Sequence, residues 1–181
     1  MRFLPPFFVL ALLASAQPRD YRVLATKKTS SMEKEMNEAA ATGFVFSSTM
    51  GGDTSVGGTE IVVVMKAGDG KGNRKYRLLA TSKTSTMEKE LQRLGDEGYA
   101  YRGQTVYDSS FGGREVVAIV EHGPEDSGRR YEYRLLGTSK TSTMEKELKQ
   151  AGAEGFDLMA TTVGKTSFGG AELVSILMRS K

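Results

Sequence analysis

Apolar positions recur along the chain in two alternating rhythms. One has a helical period: Met32, Met36 and Ala39, then Met87, Leu91 and Leu94, then Met144, Leu148 and Ala151 fall at i, i+4 and i+7 with charged residues between them. That spacing draws one apolar stripe along a helix of about three turns and predicts three amphipathic helices. The other rhythm is short and extended. Tyr76-Arg77-Leu78-Leu79-Ala80-Thr81, with counterparts beginning at Tyr21 and Tyr133, predicts a strand before each helix. Gly43, Gly98 and Gly155 stop the helices where a left-handed backbone is wanted, and Phe44, Tyr99 and Phe156 open a second strand. After a loop ending in Gly57-Gly58, Gly112-Gly113 or Gly169-Gly170, a third strand runs as Glu60-Ile61-Val62-Val63-Val64-Met65 or its equivalents. These last runs are apolar without alternation, which makes them central in a sheet or covered on both faces.

The rhythms repeat because the sequence does. Tyr21 to Lys66, Tyr76 to Glu121 and Tyr133 to Met178 align without a gap at offsets of 55 and 57, and Thr81 to Leu91 is identical to Thr138 to Leu148. The fold expected is α+β: three tandem βαββ repeats with helices packed on antiparallel or mixed sheet. The organisation reads as a leader at 1–16, repeats at 17–66, 76–122 and 133–181, and exposed linkers at 67–75 and 123–132 that are rich in glycine and charge. A unit of this size with one small helix buries little apolar surface, so three copies are expected to share a core.

Residues 1–16 carry Arg2, an apolar run from Phe3 to Leu13 and then Ala14-Ser15-Ala16, the small-x-small form of a secretory leader cut before Gln17. The run is too short to span a bilayer, and no later segment is apolar enough, so an exported protein with no stable membrane span is expected, periplasmic or extracellular. The composition adds 25 Lys plus Arg against 22 Asp plus Glu, one His and no Cys among 181 residues. A balance of +3 does not argue for nucleic acid. The missing cysteines exclude disulfides, thiol nucleophiles and Cys-ligated metal. Asn37 and Asn73 lack glycosylation context, which favours a bacterial envelope or secreted protein.

Tyr131-x-Tyr133-Arg134-Leu135-Leu136, Met-Glu-Lys-Glu-Leu on the helix, and Gly152-Ala153-Glu154-Gly155-Phe156 carry a resemblance. Each repeat resembles the small bacterial βαββ domains of unknown function, whose pattern is Tyr-x-Tyr, a Leu-rich helix, then Gly-x-x-Gly-Trp-Glu-Leu. Here Phe44, Tyr99 and Phe156 stand where that family has Trp, and Asp157 alone supplies an acid at the next position. The resemblance implies a fold and leaves activity open.

Candidate chemistry concentrates at the helix starts. Lys28-Thr29, Lys83-Thr84 and Lys140-Thr141 put a cation and a hydroxyl where a helix N-terminus can hold phosphate, sulfate or carboxylate. The structural reading takes precedence. Ser30, Ser85 and Ser142 stand three residues before Glu33, Glu88 and Glu145 as capping boxes, and Glu88 and Glu90 place negative charge in the first turn against any anion. Gly164-Lys165-Thr166-Ser167 lacks the earlier glycine of a phosphate loop, since position 159 is Met. Glu60, Glu115 and Glu172 have no carboxylate partner of fixed spacing, and His122 has no counterpart in the other copies. Asp53, Asp69 and Asp108 do not form an EF-hand. Tyr99 and Tyr101 read as core, because Phe44 and Phe46 hold the same places in the first copy. No catalytic residue, metal or cofactor is expected. The leading expectation is an exported non-enzymatic binding or structural protein with a protein or envelope polymer as partner. The alternatives are a hydrolase of envelope polymers using carboxylates between repeats, and a homo-oligomer built on free sheet edges.

Overall fold

The computed structural model describes residues 20–55, 58–68, 73–81, 83–108, 114–165 and 171–181. The expected leader lies outside them. In chain order the elements are β1 (Tyr21–Thr26), α1 (Thr29–Ala41), β2 (Phe44–Thr54) and β3 (Gly58–Ala67). Then come β4 (Lys75–Thr81), α2 (Thr84–Asp96), β5 (Ala100–Asp108) and β6 (Arg114–His122). The third unit is β7 (Tyr131–Thr138), α3 (Thr141–Ala153), β8 (Asp157–Lys165) and β9 (Ala171–Ser180). The chain is thus α+β in three similar βαββ units.

Each unit forms its own three-stranded sheet, ordered β1-β3-β2, β4-β6-β5 and β7-β9-β8, and every pairing among the described residues is antiparallel. The apolar third strand is central each time, as its lack of alternation predicts. Gly43, Gly98 and Gly155 have φ of 89°, 87° and 84°. At the second and third of these the Tyr99 and Phe156 amides donate to Leu94 and Ala151, 2.9 and 3.0 Å away, which closes a Schellman turn at the end of α2 and α3.

The second strand carries one bulge per unit, between Phe46 and Ser48, Tyr101 and Gly103, and Leu158 and Ala160. A bulge leaves a residue out of the ladder and twists the strand. Across the units, β2 and β5 approach closely: a Cβ on Gly103 would lie 2.8 Å from the Phe46 ring.

The shared core is divided between joints. Met32, Met36, Ala39 and Ala40 of α1 pack with Ile61, Val63 and Met65 of their own sheet and with Tyr76 and Leu78 of the next unit. Met87, Leu91 and Leu94 of α2 pack with Tyr99 and Tyr101 and with Tyr133 and Leu135 of the unit after. The third unit keeps only a small cluster of Ala151, Phe156 and Leu177. Each of the first two helices therefore serves two sheets. The third serves one, and of its expected stripe only Ala151 is buried.

Most residues of the second linker are exposed, as its composition suggests, but part of it is folded against the units. Pro124 to Asp126 form a single 3-10 turn, Asp126 is buried, and β7 begins at Tyr131, two residues before the expected repeat. Among the described residues no helix is long and apolar enough to cross a membrane.

Candidate functional site

Lys28, Lys83 and Lys140 are the residues just before α1, α2 and α3, and all three are exposed with extended backbone. Their amides are received by Thr26, Thr81 and Thr138 Oγ1 at 3.3, 3.1 and 3.3 Å, a short turn that aims the chain into each helix. Thr29, Thr84 and Thr141 are the first helical residues. Thr84 donates its hydroxyl to Glu172 Oε2 at 3.0 Å, so the start of α2 leans on β9 of the third unit. Thr141 is exposed and Thr29 half-buried.

The expected capping boxes do not form. Each helix starts one residue before the serine, no side chain caps any of the three, and no acid stands in any first turn. In the first two helices the glutamates instead serve the neighbouring unit. Glu33 Oε2 accepts the Leu78 amide at 2.9 Å and its Oε1 takes Arg77 at 2.8 Å, while Glu88 Oε1 accepts the Leu135 amide at 3.1 Å. One turn on, Asn37 accepts the Tyr76 amide at 2.9 Å and donates to the Tyr76 carbonyl at 3.0 Å. Gln92 likewise accepts the Tyr133 amide at 3.0 Å and donates to the Tyr131 carbonyl at 3.4 Å. An edge strand offers unpaired amides and carbonyls. Here the preceding helix covers that edge with side chains spaced i and i+4, which lie one turn apart on the same helix face and reach successive outward groups of the strand.

A tyrosine near the start of each covered strand completes the joint. The Tyr76 hydroxyl accepts the Phe46 amide at 2.9 Å, beside the first bulge, and the Tyr133 hydroxyl donates to the Tyr99 carbonyl at 2.9 Å. Burial pushes both phenols well above the ordinary tyrosine value, Tyr76 with further help from Glu121. Tyr101 is raised by burial alone.

A cluster of charge sits where the second unit meets its linkers. Glu121, buried on β6, receives Arg74 at 2.5 Å and Arg102 at 3.2 Å. Glu125 receives the same two arginines at 2.5 and 3.4 Å, and the Arg74 hydrogen bond holds its carboxyl below the usual range. Asp126 accepts the Gly123 amide at 2.8 Å and the Tyr131 hydroxyl at 2.6 Å, with Arg102 at 3.5 Å. The oxygens of Glu121, Glu125 and Asp126 come within 4.8 Å of one another, a spacing a metal ion would accept. Two guanidiniums already pair with all three carboxylates, so the set reads as a clamp that ties both linkers to β6. Sequence gave no warning of it, because Lys66 and Met178 hold the place of Glu121 in the other copies and Arg74 lies outside the repeat.

The remaining candidates have partners of other kinds. Glu60 accepts the Thr54 hydroxyl and Glu172 that of Thr84. Asp53 takes the Thr59 hydroxyl at 2.5 Å, while Asp69 lies outside the described residues, as do the side chains of Tyr107 and Asp108. His122 packs edge-on against Tyr99, ring centres 5.7 Å apart. Tyr99 and Tyr101 are buried, as their repeat counterparts suggest. Gly164 and Lys165 end β8, and residues 166–170 lie outside the described residues. Gly58 has φ of 70°, a left-handed glycine where the loop rejoins β3.

The class defined by these features is a chain of three βαββ units joined helix to strand. Comparison with family models, with curated proteins and with solved structures finds no match for the chain.

Proposed function

We propose that the protein is an exported, non-enzymatic binding or structural protein that presents three similar modules to a repetitive envelope partner, either a polymer or a protein. The observation that carries this reading is where the repeated side chains are spent. The recurrent glutamates Glu33 and Glu88 hold a neighbour's strand, and the tightest carboxylate cluster is filled by Arg74 and Arg102. What the repeat presents to solvent three times over is Lys28, Lys83 and Lys140 before a helix whose own first turn carries no acid. Three weak contacts to one polymer add by effective concentration. The units themselves we assign to the small bacterial βαββ domains, on the Tyr-x-Tyr opening and the Gly-x-x-Gly-Phe turn of the third copy.

The test is co-sedimentation of the chain from Gln17 with an insoluble anionic envelope polymer, alongside the Lys28→Glu, Lys83→Glu, Lys140→Glu triple variant. Binding that weakens with salt and disappears in an equally stable variant is the expected result. Equal binding by both proteins sinks the lysines as the contact. Release of soluble polymer fragments would move the assignment to the hydrolase alternative.

A further inference from the structure

Each internal joint has two halves. One is a helix with the bulged strand that follows it; the other is the first strand of the next unit. Three units make two complete joints and leave one half at either end of the chain. At the head, no helix among the described residues lies over the outer edge of β1. Tyr21 is 54% exposed and Val23 65%, whereas their counterparts Tyr76 and Leu78 are buried under α1. At the tail, α3 packs on its own sheet and covers no strand of a further unit among the described residues. Met144 and Leu148 are only half-buried, and Leu158, the counterpart of buried Tyr101, is 50% exposed.

The two free halves match in detail. Glu145 and Arg22 occupy the places of Glu33 and Arg77, which bond at 2.8 Å in the first joint. Gly95 of α2 lies so close to β7 that a Cβ there would strike the Tyr131 carbonyl and approach the Tyr133 ring to 2.9 Å. Gly152 holds the same position in α3 and has nothing within 4 Å. A glycine inside an exposed helix only weakens it, and α1 carries the small Ala40 at this position, buried with Tyr76 and Leu78, so a small residue here goes with a strand laid across the helix.

We propose that the first strand of one copy docks on α3 of a second copy, so that the protein assembles head to tail through a third joint of the same design. Val23 of the incoming strand offers its amide to Glu145, and Tyr21 lies over Gly152 with its hydroxyl beside Leu158. One feature weakens this joint relative to the internal two. Lys149 replaces Asn37 and Gln92, and an ammonium donates but cannot accept the strand amide. Lys149 also pairs with Glu145 at 2.5 Å, a contact that docking must open. The assembly is therefore reversible and dependent on concentration. As a heterologous contact it grows into filaments, or into a ring where the rotation closes. This inference stands apart from polymer binding by the lysines.

The test is sedimentation equilibrium of residues 17–181, which retain every described element, over a wide range of concentration. Wild type should gain mass with concentration. Val23→Glu blocks the head and Gly152→Gln blocks the tail, so each should remain monomeric, and their mixture should stop at a one-to-one dimer. Both positions are open in the single copy, so thermal melts should show neither variant unfolded; Tyr21→Glu and Leu158→Glu repeat the pair should one fail. Lys149→Gln restores the missing acceptor and should tighten association about fivefold, the worth of one net hydrogen bond. A wild type that is monomeric throughout, a blocked variant that assembles like wild type, or a mixture that stays monomeric would each overturn the proposal.

Discussion

Gly95 and Gly152 occupy the same position near the C-terminal ends of α2 and α3, and alanine should act on them in opposite directions. Neither has a positive φ, so alanine is conformationally allowed at both. In a helix alanine is favoured over glycine by about 1 kcal/mol, less in the last turn. At Gly152 a Cβ meets nothing within 4 Å, so Gly152→Ala should gain about 0.5–1 kcal/mol in the dilute monomer. At Gly95 the Cβ would run into the Tyr131 carbonyl and the Tyr133 ring. Backbone cannot swing aside as a long side chain can, and overpacking costs about 1–3 kcal/mol. Taking the upper end and subtracting the helix gain leaves Gly95→Ala about 2 kcal/mol less stable. At roughly 2–4 °C per kcal/mol for a chain of this size, Tm should fall by about 4–8 °C in Gly95→Ala and rise by about 2 °C in Gly152→Ala. Circular dichroism melts at low protein concentration read both. A Gly95→Ala protein as stable as wild type, or a Gly152→Ala protein less stable, would refute the account of helix-to-strand contact.

Asn37→Leu should cost about 2–4 kcal/mol in chemical denaturation, because it leaves the Tyr76 amide and carbonyl without their partner. Asn37→Asp should also destabilise, since it keeps the acceptor but turns a lone pair toward the carbonyl; a neutral result in both would remove Asn37 from the joint. Acid should weaken the linker clamp: Glu125 is held below its ordinary value of 4.5 by Arg74, so its contribution is complete above that pH and is lost as pH falls through the depressed value. Melting temperatures of wild type should therefore drop more steeply below about pH 4.5 than those of Glu125→Gln, and parallel curves would count against the clamp. Amide exchange should be faster in α3 than in α2 by roughly 10- to 100-fold, from about 1–3 kcal/mol of apolar burial that Met144 and Leu148 lack; equal protection would contradict the exposed tail.

The periodic signals carried the fold because they are local. Helix stripes, the glycines that end each helix and the central third strands all follow from residues within a few positions of one another. The joints were not legible, because their chemistry pairs residues about 40 positions apart and uses types that already had a local meaning. Ser85 and Glu88 satisfy the spacing of a capping box, yet Glu88 turns to the Leu135 amide and the helix starts before Ser85. Asn37 and Gln92 belong to no local motif. Their i+4 placement after Glu33 and Glu88 is the signal that was available, since two acceptors one turn apart fit the outward amides of a strand edge. Asp126 was hidden in a segment whose glycine, proline and charge suggested solvent, and only Gly123, Tyr131 and Arg102 give that carboxylate a reason to be buried.

The identical run Thr84 to Leu91 and Thr141 to Leu148 separates what a sequence does from what its neighbours do. Both copies make the same helix from the same residue, with the same extended lysine before it. Propensity, start and direction are therefore intrinsic. Burial is not: Met87 and Leu91 are sealed while Met144 and Leu148 are half open, and Glu88 holds a strand while Glu145 falls back on Lys149. The difference is the strand laid across the helix, since α2 has β7 beyond it and α3 has no such strand among the described residues. A repeat built this way carries its binding surface for the next unit in its own helix. Duplication then extends the protein without inventing a new contact, and each extension leaves the same unfilled helix face at the end.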